Sequence, residues 1–276
     1  MTKKYLVYIL ATLILLLSAC STDTAKEEVK DEVKQNVESS ETVDETIEDE
    51  AEDEEVVEEV EVDEVIEPLY ELNASWALQP INDANPKVVL LTIDDAPDKY
   101  ALEMAKTLKG LDAPAIFFVN GHFIDTDEEK AILKEIHELG FAIGNHTKTH
   151  ANLKQSSEEQ QKEEILFVSD AVEETIGERP KFFRAPFGVN TDFSRALVSD
   201  EKMLLMNWSY GYDWEKQYME EAALADIMVN SEYLRDGANL LMHDRKWTAA
   251  ALMQIVEGLR AKGYDFIDPN TIKGVE

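Results

Sequence analysis

Leu91-Thr92-Ile93-Asp94-Asp95-Ala96-Pro97 closes an apolar run that opens at Lys87-Val88-Val89-Leu90 and stops abruptly in two adjacent acids. Its β-branched, almost unbroken apolar character predicts a buried strand ending at Asp94. Carboxylates at the end of such a strand are costly unless they bind a metal, accept hydrogen bonds or exchange protons. An exposed strand-to-loop turn is the plain alternative for an isolated Asp-Asp-x-Pro. The partners that the rest of the chain supplies decide between the two.

Three later segments repeat the pattern of an apolar run followed by a chemically versatile side chain. His146-Thr147-Lys148-Thr149-His150 follows Phe141-Ala142-Ile143-Gly144. Two imidazoles four residues apart, on one helical turn or a tight loop, can aim at a common point. With one carboxylate they form a His₂-Asp set that leaves positions open for water or substrate, as hydrolytic zinc sites require. A surface helix carrying two histidines is the bland reading of the same spacing. Arg184-Ala185-Pro186-Phe187-Gly188 follows Lys181-Phe182-Phe183. An arginine there can hold a carboxylate by a charge-assisted pair, or can simply be a surface residue before a turn. Asn239-Leu240-Leu241-Met242-His243-Asp244 ends in a histidine suited to general acid or base work, with a structural histidine as the alternative.

The recurrence is more telling than any one segment. Residues 100–111, 127–139, 157–176, 219–230 and 248–262 suit amphipathic helices between the apolar runs. Strands alternating with helices predict an α/β chain with a parallel sheet. In a parallel β/α barrel, active residues collect at the C-terminal ends of the strands, where all of these side chains fall.

In this order the motifs Thr92-Ile93-Asp94-Asp95-Ala96-Pro97, His146 to His150, Arg184 to Gly188, Asp213-Trp214 and Leu240 to His243 resemble the polysaccharide deacetylase family, the NodB-homology domain of carbohydrate esterase family 4. The resemblance runs from near Trp76 to the C-terminus and implies a distorted, incomplete (β/α) barrel. It implies Asp94 as catalytic base, Asp95, His146 and His150 as ligands of one divalent metal, and His243 as general acid. Zinc is the expected ion, with cobalt or nickel as substitutes. It further implies Arg184 as the residue orienting the base, Phe187 as a backbone N–H donor to the oxyanion, and Asp213 as part of the catalytic set. The implied reaction is hydrolysis of an N-acetyl group, releasing acetate and a free amino sugar.

Two departures bear on turnover. The family's usual Gly after the acid pair is Ala96, which would be strained if that position needs positive φ. The fourth motif usually reads Asp-x-x-Asp-Trp, whereas Tyr210 holds the first acid's place, so the carboxylate tuning His243 is absent or comes from elsewhere. Its absence would lower the His243 pKa. These departures keep open a rival class, a wall-binding lipoprotein that retains fold and metal site without catalysis. A glycosidase using Asp94 and Asp95 as its acid pair fits poorly, because neighbours on an extended strand face opposite sides.

The N-terminus has Lys3 and Lys4, an apolar stretch from Tyr5 to Leu17, and then Leu17-Ser18-Ala19-Cys20. This predicts a signal peptide over 1–19 and lipidation of Cys20, the chain's only cysteine; an uncleaved anchor or an ordinary cleaved signal is the alternative. Residues 20–74 are expected to form an acidic, disordered tether: from Lys26 to Glu67 there are 21 acids against 3 lysines, over half of the formal net charge of -32. The folded domain is expected over 75–276. Such acidity argues against nucleic acid as a partner. The expected setting is the extracellular face of the cell membrane, reached through a lipid anchor. The expected substrate is a polysaccharide within reach of the tether, with peptidoglycan preferred to xylan, chitin or poly-N-acetylglucosamine, and the chain acting as a monomer.

Overall fold

A computed structural model describes residues 67–275. The expected signal peptide, Cys20 and the expected tether up to residue 66 lie outside the described residues. The strand predicted from Val88 runs further than expected, as β3 (Val88–Ala96), and every one of its nine residues is buried. Around it the sheet orders β7 (Leu204–Leu205), β6 (Phe182–Phe183), β5 (Ala142–Asn145), β4 (Ala115–Val119), β3 and β8 (Ala238–His243), all pairs parallel, while β9 (Asp265–Phe266) pairs with the start of β3. The helices α1 (Ala101–Gly110), α2 (Asp127–Glu138), α3 (Glu158–Ile176), α4 (Asp192–Asp200), α5 (Glu221–Asn230) and α6 (Lys246–Ala261) alternate with these strands.

The five predicted helices all form, because their apolar stripes bury against the sheet and their ends are chemically marked. Thr126 with Glu129 and Ser157 with Gln160 form capping boxes that start α2 and α3, and Gly177 ends α3 at φ 86°. Three elements of the layer carried no chemical signal in the sequence. These are β4, which is followed by Asn120, and the pair α4–β7.

The sheet curls into a half-barrel, and chain length explains why. Leu205 pairs with Phe183 at one edge, and Tyr210 bridges to Leu240 beyond the other. Five residues reach roughly 18 Å at full extension, whereas a flat sheet would place those positions about 29 Å apart. The sheet must bend to bring its edges together. The strand order leaves β6 and β7 only two residues each, so closure is partial.

The folded region begins earlier than the expected boundary at residue 75. Tyr70–Leu72 (β1) pairs antiparallel with Leu78–Pro80 (β2), and Tyr70 bridges to Ile272 and is buried. The acidic composition ends at Glu67, but Tyr70 already packs with Leu78, Val88 and Ile272, and Leu69 N donates to Thr271 O at 2.8 Å. The Leu78 N–H donates to Gly237 O at 2.8 Å, and Gly237 sits at φ 73°. A Cβ at Gly237 would drive into the Leu78 carbonyl. Gly237→Ala should therefore destabilise the domain by about 2–4 kcal/mol, read as a fall in the thermal unfolding midpoint; an unchanged midpoint would refute the docking role.

Candidate active site

Asp94 and His243 are register partners at the ends of β3 and β8, and His146 follows directly on β5. Arg184 follows β6 and reaches into the barrel. Its guanidinium is fully buried and donates to Asp94 Oδ1 at 2.6 Å, Thr92 Oγ1 at 2.8 Å, Asn207 O at 3.0 Å and Asn239 Oδ1 at 3.3 Å. The plane lies over the Phe118 ring at 4.3 Å. Burial pulls the Arg184 pKa below its ordinary value, and the Asp94 charge opposes this. One arginine thus joins β3, β6 and β8 and fixes a carboxylate at the mouth of the barrel.

Asp95 lies within β3 but breaks its extended course. It lies at φ 59°, the sheet register shifts between Ile93 and Ala96, and both acids line one cleft of about 500 Å³. The expectation that adjacent acids face opposite sides is therefore corrected: it assumed an extended residue, and the left-handed turn at Asp95 reverses its side chain. The positive φ falls on Asp95 and not on Ala96, which sits buried beside Val119, so the missing glycine causes no backbone strain.

The loop after β5 brings both imidazoles to these acids. His146 Nε2 lies 3.5 Å from Asp94 Oδ2 and 3.9 Å from Asp95 Oδ1, and His150 Nε2 lies 3.6 Å from Asp95 Oδ1. Donor atoms of Asp95, His146 and His150 all fall within 4.8 Å of one another, a spacing a single metal ion can bridge. His146 Nδ1 contacts Arg184 O at 2.7 Å, which leaves Nε2 free to face the cleft. The loop is held from outside the motif: Glu164 accepts from Thr149 N and Oγ1 at 2.8 and 2.6 Å, and Asn145 accepts from Thr147 N at 2.9 Å. Burial lowers the His146 and His150 pKa values, favouring the neutral form that ligates metals. Burial pushes Asp95 upward, but His243, His146, His150 and Arg245 outweigh it and hold the carboxyl below its ordinary range.

His243 has its carboxylate. Asp213 Oδ1 lies 2.7 Å from His243 Nδ1, while Asp213 Oδ2 accepts from His243 N at 2.6 Å and Thr248 Oγ1 at 2.8 Å. Burial lowers the imidazole pKa, yet Asp213, with Asp94 and Asp95 behind it, raises it above the ordinary value. Of the two alternatives left open by Tyr210, the carboxylate is thus supplied from elsewhere, and the lowering expected from its absence does not occur. Tyr210 is buried and donates to Met228 O at 2.7 Å, a packing role away from the histidine. The second acid of the motif, retained as Asp213, does the tuning.

Phe187, at φ 59°, packs its exposed ring against His150 at 4.9 Å between centroids. With Trp208, Trp214 and Trp247 it lines the cleft. Sequence reasoning missed Trp208, Trp247, Asp244 and Arg245. The last two directly follow His243, so their position beside a strand-end residue was the available signal. Asp244 accepts from the backbone N–H groups of Lys99, Tyr100 and Ala101 at 3.0, 2.7 and 3.0 Å, tying this strand end to the start of α1.

The polysaccharide deacetylase family matches residues 81–205. A peptidoglycan-N-acetylglucosamine deacetylase of Bacillus cereus is 31% identical over 208 residues, covering 72% of this chain and 75% of that protein. This chain belongs to the polysaccharide deacetylase family. A bifunctional xylanase/deacetylase of Pseudobutyrivibrio xylanivorans is 25% identical over 189 residues, which make up 67% of this chain but only 30% of that longer protein. Among solved structures, a CE4-family pseudoenzyme from Bacillus anthracis superposes with a TM-score of 0.60 at 26% identity, covering 66% of this chain and 64% of that one. The fold therefore does not by itself carry activity; the side chains in the cleft must.

Asp213→Asn removes the charge facing His243 while keeping its shape. The His243 ring should then titrate about 1 to 3 pH units lower, followed by NMR in the metal-free protein. An unmoved titration would show that Asp213 does not set this pKa.

Proposed function

We propose that this chain hydrolyses N-acetyl groups of a cell-wall polysaccharide, peptidoglycan foremost, using one divalent metal ion. The observation that carries this reading is the Asp213–His243 pair facing, across one cleft, the Asp95-His146-His150 set and the Arg184-held Asp94. The donor set fits the ion: two neutral imidazoles and one ionised carboxylate, with an orienting contact behind His146. We propose zinc, with cobalt or nickel as working substitutes. When bound, the ion supplies Lewis-acid polarisation of the acetyl carbonyl and lowers the pKa of water.

The chain's own residues divide the remaining work. Asp94, aimed by Arg184, takes the proton of the attacking water as its oxygen bonds to the carbonyl carbon. The Phe187 backbone N–H is assigned to the developing oxyanion. His243, kept protonated by Asp213, gives its proton to the amine nitrogen as the C–N bond breaks and its electron pair leaves with the sugar. Acetate and a free amino sugar result. Activity should fall as pH rises through the His243 pKa, so a raised value extends the alkaline limb. The aromatic walls suit sugar rings, whose apolar faces stack on indole and phenyl groups.

The rival reading of a non-catalytic wall-binding protein loses its support. Ala96 is unstrained, and Asp213 supplies the carboxylate that Tyr210 lacks. We assign the setting to the outer face of the cell membrane through lipidation of Cys20, with the segment up to the domain as tether and the chain as a monomer.

Acetate release from purified peptidoglycan and N-acetylglucosamine oligomers, with and without added zinc, tests this. Wild-type protein should be active only with metal. Asp94→Asn keeps an acceptor for Arg184, so it should retain metal while losing about 10²–10⁴-fold in rate. His146→Ala with His150→Ala should lose metal and activity together. Metal loss in Asp94→Asn, or metal retention in the double variant, would overturn these roles. Separately, Cys20→Ser should move the protein from the membrane fraction to the medium without loss of acetate release; continued membrane association would exclude lipidation.

A further inference from the structure

We infer that Arg245 is a positioning residue for the metal-ligating carboxylate of Asp95, an inference that rests on the metal site proposed above. The two oxygens of Asp95 face different partners. Oδ1 points at both imidazoles, 3.9 Å from His146 Nε2 and 3.6 Å from His150 Nε2, while Oδ2 accepts from Arg245 Nη2 at 2.6 Å. Arg245 thus occupies the oxygen that the metal does not need. It leaves Asp95 a single ligating oxygen and fixes which one that is.

The arginine is itself held. Its Nη1 donates to Asp244 O at 2.9 Å, and its backbone caps the start of α6. Asp244 N donates to Asp94 O at 3.0 Å, and the Asp244 carboxylate receives three backbone N–H groups from the start of α1. The segment 243–245 is therefore laced to the end of β3, and Arg245 has a fixed base from which to reach Asp95. Asp95 needs such a hold more than an ordinary strand residue. At φ 59° it sits in the left-handed region, which side chains other than Gly, Asn and Asp seldom adopt, just where the strand register shifts. Arg245 does for Asp95 what the Arg184 carbonyl does for His146: each pins the atom of a ligand that faces away from the ion.

Orientation and charge act in opposite directions, which makes the inference testable. A cation beside the site repels a divalent ion, so charge alone would weaken metal binding. A carboxylate locked in its ligating pose strengthens it. The guanidinium is 36% exposed, so water screens its charge, whereas its hydrogen bond to Oδ2 is short and direct. Orientation should win.

Zinc affinity of the metal-free full-length protein, measured by competition with a chromophoric chelator, reads this without any activity assay. Arg245→Met should bind zinc about 10- to 100-fold more weakly than wild type. Arg245→Gln, which loses the charge but keeps a donor for Oδ2, should recover most of that loss. Cobalt absorption should differ between Arg245→Met and wild type, because the Asp95 oxygen is free to reorient. Arg245 is partly exposed at a helix end, so thermal unfolding of the metal-free forms should agree; if the Met variant fails to fold, Arg245→Ala takes its place with the same expected loss. Zinc binding by the truncated variants as tight as wild type, or tighter, overturns the inference and leaves the metal site standing. Failure of wild-type protein to bind zinc at all overturns the metal site instead.

Discussion

The buried pair between Arg184 and Asp94 is the interaction on which the rest of the site depends. A guanidinium with no solvent exposure must find partners for its charge and its donors inside the barrel. Its two terminal nitrogens draw on Thr92 and Asp94 of β3, Asn239 of β8 and the Asn207 carbonyl, while Nε has no partner. Those partners lie far apart in sequence, so the curl of the sheet and the aim of the Asp94 carboxylate are set together. Removing the acid would leave an unpaired buried cation, a cost far larger than that of losing a surface ion pair.

From that centre the charges alternate outward. Asp94 is held by Arg184, Asp95 by Arg245, and His243 by Asp213. Each of these three groups therefore has an oppositely charged partner behind it, which fixes its pose before substrate arrives. The arrangement separates roles by environment. Burial lowers the pKa values of His146 and His150, while Asp213 raises that of His243.

Backbone strain follows the same geography. Among the described residues, eight non-glycine positions have positive φ, and Asp95, Thr147, His150 and Phe187 are four of them. Each belongs to a motif at a strand end. Asp95, His150 and Phe187 line the cleft, while Thr147 N donates to Asn145 and Asp95 accepts from Arg245.

Much of this was legible in the chain. The buried strand before Asp94, the helices between the motifs, and the convergence of Asp94, Asp95, His146, His150, Arg184 and His243 follow from apolar periodicity and from strand ends sharing one face of a parallel sheet, whereas Asp213 entered only through the family resemblance. Local pattern could not locate the domain's start, since the hairpin at Tyr70 is held by residues two hundred positions away, near Ile272. It could not reveal that Asp95 turns back into the cleft, because an Asp-Asp pair reads as extended until the register shift is known. Nor could it decide which of Tyr210 and Asp213 serves His243, or that Arg245 grips Asp95. Sequence determined which side chains end the strands, because periodicity is a local property of the chain. Tertiary structure alone decided which atom of each faces which partner, because those distances arise only when the sheet curls and brings its strand ends together.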